Sequence, residues 1–274
     1  MRCAWDALTK ILPPALRPDV DKHRDTLQEL RLRLGQPPEI ICANGVCWGT
    51  GKVTEQNISF VLNTASQYSP WAAATAAKGY ITAPGGHRIG LCGDAVVKEG
   101  SVCGIRSVTS LCIRVARDFP GIASKASSLT GNILILGPPG CGKTTLLRDL
   151  VRQLSHREKI SVVDERGELF PLYLDRGPRV DVLTGCGKPQ GVEMALRTMG
   201  PTCIAVDEIT AEEDCKALLE AGWCGVRLLA TVHASSPEDL ALRPVYRPLW
   251  ETKLFQTVLI LHSDKSWRAE RIAI

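Results

Sequence analysis

The residues most able to do chemistry lie in one glycine-rich segment near the middle of the chain. Its sequence, GPPGCGKTT, matches the phosphate-binding pattern G-x-x-x-x-G-K-[ST]. The pattern predicts that the phosphate contacts come from Gly137, Pro138, Pro139, Gly140, Cys141, Gly142, Lys143, Thr144 and Thr145. Glycines let backbone N–H groups close around phosphate oxygens, and the helix that follows adds the positive end of its dipole.

Two side chains of this segment have predicted roles of their own. Lys143 places a full positive charge at the β- and γ-phosphates, and the Thr144 hydroxyl is a ligand for Mg²⁺. Cys141 occupies a variable position of the pattern and needs no catalytic role. The segment therefore predicts a site for a nucleoside triphosphate with Mg²⁺.

Such a site needs a carboxylate at the end of a neighbouring strand, and Asp207 and Glu208 follow the apolar run Cys203–Val206. We expect Asp207 to hold Mg²⁺ and Glu208 to orient and deprotonate the attacking water. Acids often end strands, but this pair follows the glycine-rich segment by about 60 residues, a spacing that favours the functional interpretation.

Two further strand ends carry polar residues. The run ISVV is followed by Asp164 and Glu165, which the functional interpretation places beside the γ-phosphate and Mg²⁺; the alternative is a solvated loop. The run LLATV carries Thr231 and leads to His233, which we expect to reach the γ-phosphate region. The other four histidines have no comparable context.

The elements that must position these residues are apolar runs separated by helical segments. We predict strands at Ile133–Leu136, Ile160–Val163, Val180–Leu183, Cys203–Val206 and Val226–Ala230, and helices at Thr144–Leu154, Gln190–Met199 and Ala211–Ala221. Alternation of buried strands with helices predicts an α/β fold with a parallel sheet.

The first part of the chain has a different pattern. Turn signals predict one hairpin within Ile40–Thr50 and another around Pro84–Arg88, and Thr54–Ala77 has helical tendency. Asp21–Leu34 begins as a helix and passes into a strand. We place a boundary at Asp118, giving an N-terminal α+β domain (1–118) and a P-loop domain (119–274).

Composition narrows the class of protein further. Of 274 residues, 45% are hydrophobic and 23% charged, which excludes a disordered chain, and no apolar run approaches the roughly 20 residues of a membrane-spanning helix. The net charge of +4 is too small to indicate nucleic-acid binding. The start of the chain has no apolar signal-peptide core, and the scattered cysteines have no zinc spacing, so we expect reduced thiols in the cytoplasm.

Taken in order, the phosphate loop, Asp164-Glu165, Asp207-Glu208 and Thr231-Val232-His233 resemble the secretion-type ATPases, the RecA-like motors of type II and type IV secretion and pilus assembly. The chain is most similar to one branch, the stage III sporulation protein AA family. Blocks typical of this branch are LQELRLRLG, GYITAPGGHRIG, SLCIRVAR and DVLTGCGK.

The resemblance implies a homo-hexameric cytoplasmic ATPase that uses ATP and Mg²⁺. It implies a place at the membrane of the mother cell of a sporulating bacterium, where the other stage III A proteins form a channel complex. In related motors, arginines of the first domain approach nucleotide across domains or subunits. The matching candidates are Arg114 and Arg117, with Arg106 and Arg88 as weaker ones.

Two alternatives stay open at this point. RecA-like cores also serve nucleic-acid-dependent ATPases, although this sequence has no basic and aromatic stripe. A nucleotide-gated scaffold without turnover is the other alternative, and the presence of Lys143, Asp207 and Glu208 argues against it. The tetracysteine zinc module of some secretion ATPases is absent from the sequence.

Overall fold

The computed structural model describes residues 3–66, 79–98, 100–171 and 174–272. The chain divides into two compact units. The first is Met1–Asp118 with Leu172–Leu174, and the second is Phe119–Pro171 with Asp175–Ile274. Within the described residues, no helix combines the length and the apolarity that crossing a membrane requires.

The first unit is built on an antiparallel sheet covered by helices. Its elements are α1 (Trp5–Ile11), α2 (Arg17–Asp21), β1 (Leu27–Arg33), β2 (Glu39–Cys42), β3 (Gly45–Trp48), α3 (Glu55–Ser66), β4 (Tyr80–Thr82), β5 (Arg88–Lys98) and β6 (Ser101–Arg114). The described strands pair in the order β3-β2-β1-β6-β5-β4, and every pair is antiparallel. Side chains of α1 and α3 form one core with the buried face of the sheet, where Leu30 and Leu32 of β1 lie.

Both hairpins predicted for this unit are confirmed, as β2 with β3 and β4 with β5. The helix predicted to begin at Asp21 is wrong, because α2 ends at Asp21, turns occupy residues 22–26 and β1 begins at Leu27. The reason is that β1 pairs with β2 on one side and β6 on the other, so its backbone bonds are satisfied in the sheet. Within Thr54–Ala77, Glu55–Ser66 is helical and residues 67–77 lie outside the described residues.

The second unit alternates strands and helices. Its elements are β7 (Ile133–Leu136), α4 (Lys143–Leu154), β8 (Ile160–Asp164), β9 (Val180–Thr184), α5 (Lys188–Thr198), β10 (Cys203–Val206), α6 (Glu212–Trp223), β11 (Arg227–Val232), α7 (Pro237–Leu242), α8 (Arg247–Glu251), β12 (Thr257–Leu261) and β13 (Trp267–Arg271). The described strands pair in the order β13-β12-β7-β11-β10-β8-β9. All pairs are parallel except β12 with β13.

The inner strands of this sheet, from β12 to β8, are buried on both faces. Along β7, Ile133 and Ile135 face the core that holds α4, whereas Leu134 and Leu136 face the core that holds α5 to α8. A strand covered by helices on both sides has no polar face, which explains the unbroken apolar runs in the sequence. The carboxyl ends of β7, β11, β10 and β8 therefore meet at one edge, in that order.

The predicted elements of this unit are confirmed with small differences in their bounds. The strands β7 and β10 have the predicted bounds, and the helices α4, α5 and α6 start or end one to two residues from them. The strands β12 and β13 were not predicted. The strand β12 is a short apolar run of five residues, and β13 has the charged sequence WRAER.

Candidate nucleotide-binding site

The phosphate-binding segment leaves β7 and turns sharply into α4. At Gly137, a Cβ atom would lie 2.7 Å from both the Cys141 Sγ and the Leu261 carbonyl oxygen, so the position excludes any side chain. Gly142, the residue before α4, has a φ of +105°, which favours glycine. Cys141 is buried beneath the loop, and this packing is its structural role here.

Lys143 folds back onto its own loop. Its Nζ donates hydrogen bonds to the carbonyl oxygens of Gly137 (2.8 Å) and Pro138 (2.9 Å), and it lies 2.8 Å from the His233 Nδ1. Burial lowers the pKa of Lys143 from its ordinary value. The ammonium group is thus held at the mouth of the loop by neutral acceptors, which an anionic phosphate can replace.

Asp207 is bound by hydroxyl groups from two other elements. The Thr144 Oγ1 donates to its Oδ2 at 2.7 Å, and the Thr231 Oγ1 donates to its Oδ1 at 2.6 Å. In the sheet, β11 lies between β7 and β10. Thr231 belongs to this intervening strand, and the Thr144 side chain still reaches Asp207 from the start of α4.

Glu208 has an unusual backbone and a well-defined side chain. Its φ of +52° is in the left-handed region, and its N–H donates to the Thr231 Oγ1 at 2.8 Å. Its Oε1 lies 3.2 Å from the His233 Nε2. The structure therefore brings Lys143, Thr144, Asp207, Glu208 and His233 together, and their catalytic roles stay predictions.

The oxygen donors at this edge fit a magnesium ion. The Thr144 hydroxyl and the Asp207 carboxylate lie within hydrogen-bond distance of each other. In proteins, Mg²⁺ is usually held by one or two protein oxygens together with substrate phosphates and water. Among the described residues, no group of three or more His, Cys, Asp or Glu side chains is arranged to hold a metal ion.

In the loop after β8, the Asp164 side chain binds backbone N–H groups of its own loop. The Asp164 carboxylate accepts hydrogen bonds from the backbone N–H groups of Glu168, Leu169 and Phe170, each at 2.9 Å. Burial raises the pKa of Asp164 despite these bonds. In this arrangement both carboxylate oxygens organise the loop, and a role in holding Mg²⁺ stays a prediction.

Two cations near this loop were missed by the sequence reasoning. Lys188, the first residue of α5, is buried and lies 2.8 Å from Glu165 and 3.7 Å from Asp214. The Arg166 Nη1 lies 3.4 Å from the Glu208 Oε2. In the sequence, Arg166 directly follows the acidic pair Asp164-Glu165, which marks it as a residue near the site. Nothing in the sequence identifies Glu208 as its partner.

The candidate arginines of the first unit have different environments. Arg114 is 68% exposed and its Nε lies 3.6 Å from the Glu29 carboxylate. Arg117 donates hydrogen bonds to the carbonyl oxygens of Arg24 and Leu27, so it supports the unit's own backbone. Arg88 lies over the Tyr80 ring, and Arg106 is exposed. Their action on nucleotide stays a prediction.

Comparison with known proteins identifies the family of the chain. A family model described as "Sporulation stage III, protein AA" matches residues 6–271. The chain belongs to the stage III sporulation protein AA family. It is 37% identical to Stage III sporulation protein AA of Bacillus subtilis over 257 residues, covering 87% of this chain and 83% of that protein.

A more distant relative is Protein SEEDLING PLASTID DEVELOPMENT 1 of Arabidopsis thaliana, 27% identical over 87% of this chain and 35% of that protein. Among solved structures, the pilus retraction motor PilT with bound ADP has a TM-score of 0.63 at 14% identity, covering 90% of this chain and 78% of that one. The Legionella pneumophila ATPase DotB has a TM-score of 0.59 at 17% identity, covering 93% and 78%. The predicted fold class, a RecA-like P-loop domain preceded by an α+β domain, is confirmed.

Proposed function

We propose that this member of the stage III sporulation protein AA family hydrolyses ATP with Mg²⁺ and works as a motor. The observation that carries the proposal is the convergence of Lys143, Thr144, Asp207 and Glu208 at the carboxyl edge of one parallel sheet. A phosphate loop alone supports binding. A carboxylate pair within reach of that loop supports hydrolysis as well.

Each side chain has a step that follows from its position. Lys143 exchanges the carbonyl oxygens of Gly137 and Pro138 for phosphate oxygens. Thr144 and Asp207 would hold Mg²⁺, which would supply positive charge to neutralise the phosphates. Glu208 orients a water molecule for in-line attack and accepts its proton.

The wider role is proposed from the family. We propose that the chain assembles as a homo-hexamer in the cytoplasm of the mother cell, at the membrane. There it would energise a channel complex of the other stage III A proteins during endospore formation. The support is membership of a sporulation family and a fold shared with a pilus retraction motor.

The first test is ATP turnover by single variants. Lys143→Ala and Glu208→Gln are each expected to lower kcat by about 100-fold or more, because one removes phosphate charge and the other removes the base. Lys125→Ala, which removes an exposed lysine of the same unit, is the matched control and should keep the native rate. Native turnover by both site variants would reject the proposal, and turnover that requires single-stranded DNA would favour the nucleic-acid-dependent alternative.

A further inference from the structure

The Glu208 carboxylate has a nitrogen donor at each of its two oxygens. His233 Nε2 lies 3.2 Å from Oε1, and Arg166 Nη1 lies 3.4 Å from Oε2. The two donors come from different elements, since His233 follows β11 and Arg166 follows β8. The direction of the carboxylate is thus set from both sides.

The proton on the His233 side can be assigned from its neighbours. Lys143 carries an ammonium group, which donates hydrogen bonds and has no lone pair to accept one. His233 Nδ1 must therefore accept from Lys143, and in the neutral ring the proton lies on Nε2 and is donated to Glu208 Oε1. The other carboxylate oxygen, Glu208 Oε2, accepts from the Arg166 guanidinium.

The backbone that carries Arg166 is fixed on both of its sides. Before it, Glu165 pairs with the buried Lys188. After it, Arg148 of α4 donates to the carbonyl oxygens of Glu168 and Leu169, and these residues also bind the Asp164 carboxylate through their N–H groups. Because α4 begins at the phosphate loop, one helix supports both the nucleotide site and the segment that presents Arg166.

Stability does not account for this arrangement. The Arg166 side chain is 58% exposed, and an ion pair so accessible to water contributes little to folding. A segment that is held by an ion pair and hydrogen bonds, and that directs an exposed guanidinium at one particular carboxylate, is better explained by what that carboxylate does.

We propose that Arg166 is a positioning residue for hydrolysis, which holds the Glu208 carboxylate in the orientation needed to activate water. The proposal rests on the proposed ATPase function and goes beyond it, since it assigns a residue outside the phosphate loop and the Asp207-Glu208 pair. Arg166 acts through Glu208, which is the ion-pair partner that the described part of the chain gives it. Its loss should therefore change the rate of the chemical step and leave nucleotide binding unchanged.

The first test separates rate from binding. Arg166→Gln is expected to lower kcat by about 10- to 100-fold with an unchanged KM and unchanged affinity for ADP, because a misplaced catalytic group costs rate. Arg166→Lys, which keeps the charge, should recover part of that loss. Arg197→Gln is the matched control, since it removes an exposed arginine that pairs with Glu193 on α5, and should keep native kinetics.

The second test asks whether Arg166 acts through Glu208. In a Glu208→Gln background, Arg166→Gln should lower single-turnover hydrolysis no further, because the group it positions is already gone. An additional loss of the same size, a native kcat for Arg166→Gln alone, or a rise in kcat would each overturn the inference. Failure of the ATPase proposal is distinguishable, since then Lys143→Ala and Glu208→Gln would also leave turnover unchanged.

Discussion

At the scale of single residues, one hydroxyl group of the site makes two hydrogen bonds. The Thr231 hydroxyl donates to Asp207 and accepts from the Glu208 N–H, so one side chain links the residue proposed to hold Mg²⁺ with the proposed base. Thr231 is also buried, at 1% exposure. Loss of this hydroxyl would therefore remove two hydrogen bonds at once.

Replacing this hydroxyl with a methyl group tests that point. Thr231→Val keeps the shape of the side chain but leaves a carboxylate oxygen and a backbone N–H without their partner. It should lower the free energy of unfolding by about 1–3 kcal/mol and reduce ATP turnover. Thr231→Ser keeps the hydroxyl and should lose much less of both. Urea unfolding and a turnover assay measure the two effects, and equal losses for the two variants would contradict the explanation.

At the scale of elements, a buried histidine holds the first unit together at a turn. His87 has no exposed surface; its Nδ1 accepts from the Ala116 N–H, and its Nε2 lies 3.1 Å from the Ala4 carbonyl oxygen. Burial lowers the pKa of His87, the Ala4 carbonyl opposes that shift, and the nearby Arg117 guanidinium adds to it. The ring is therefore neutral in the fold and connects the first helix to the end of the sheet.

This arrangement predicts a pH dependence of stability. The folded pKa is below the unfolded value of 6.5, so the contribution is complete above about pH 6.5 and is lost as the pH falls through the folded pKa. Between about pH 7.5 and pH 5, the native protein should lose more stability than His87→Gln, whose amide does not titrate there. Unfolding midpoints at both pH values measure this, with the exposed His156→Gln as control. Equal slopes for native protein and His87→Gln would refute it.

Sequence patterns predicted some of these elements and not others, for physical reasons. The strand β10 and the residues at its end were predicted because buried parallel strands are continuous apolar runs. The strand β13 was missed because it is an exposed edge strand, whose charged residues have no period that marks a face. Lys188 and Arg166 were missed because their partners come from elements distant in sequence, and no local pattern encodes such a pair.

At the scale of the whole molecule, the proposal of a homo-hexamer can be tested through Arg114. If Arg114 from one copy acts on nucleotide held by its neighbour, Arg114→Gln and Lys143→Ala should each be inactive alone. Mixed and reassembled in equal amounts, they should regain about a quarter of native turnover, because sites then form from an intact loop and an intact arginine.

A mixture of Lys143→Ala with Glu208→Gln is the control for this experiment. Both changes affect the same site of one subunit, so mixing should recover no activity. Native mass measured with and without nucleotide reports whether the copies assemble. Native turnover by Arg114→Gln alone, or a mixture no more active than the control, would exclude action between subunits.

The antiparallel strand β13 has a practical consequence. Its register places Arg271 beside Thr257, and Thr257 lies beside Ile133, where β7 begins. The chain at Arg271 therefore leaves the sheet at the edge opposite the phosphate loop. A purification tag or a tether to a solid support introduced beyond this strand would point away from the nucleotide, so immobilised protein should keep its site open to solution.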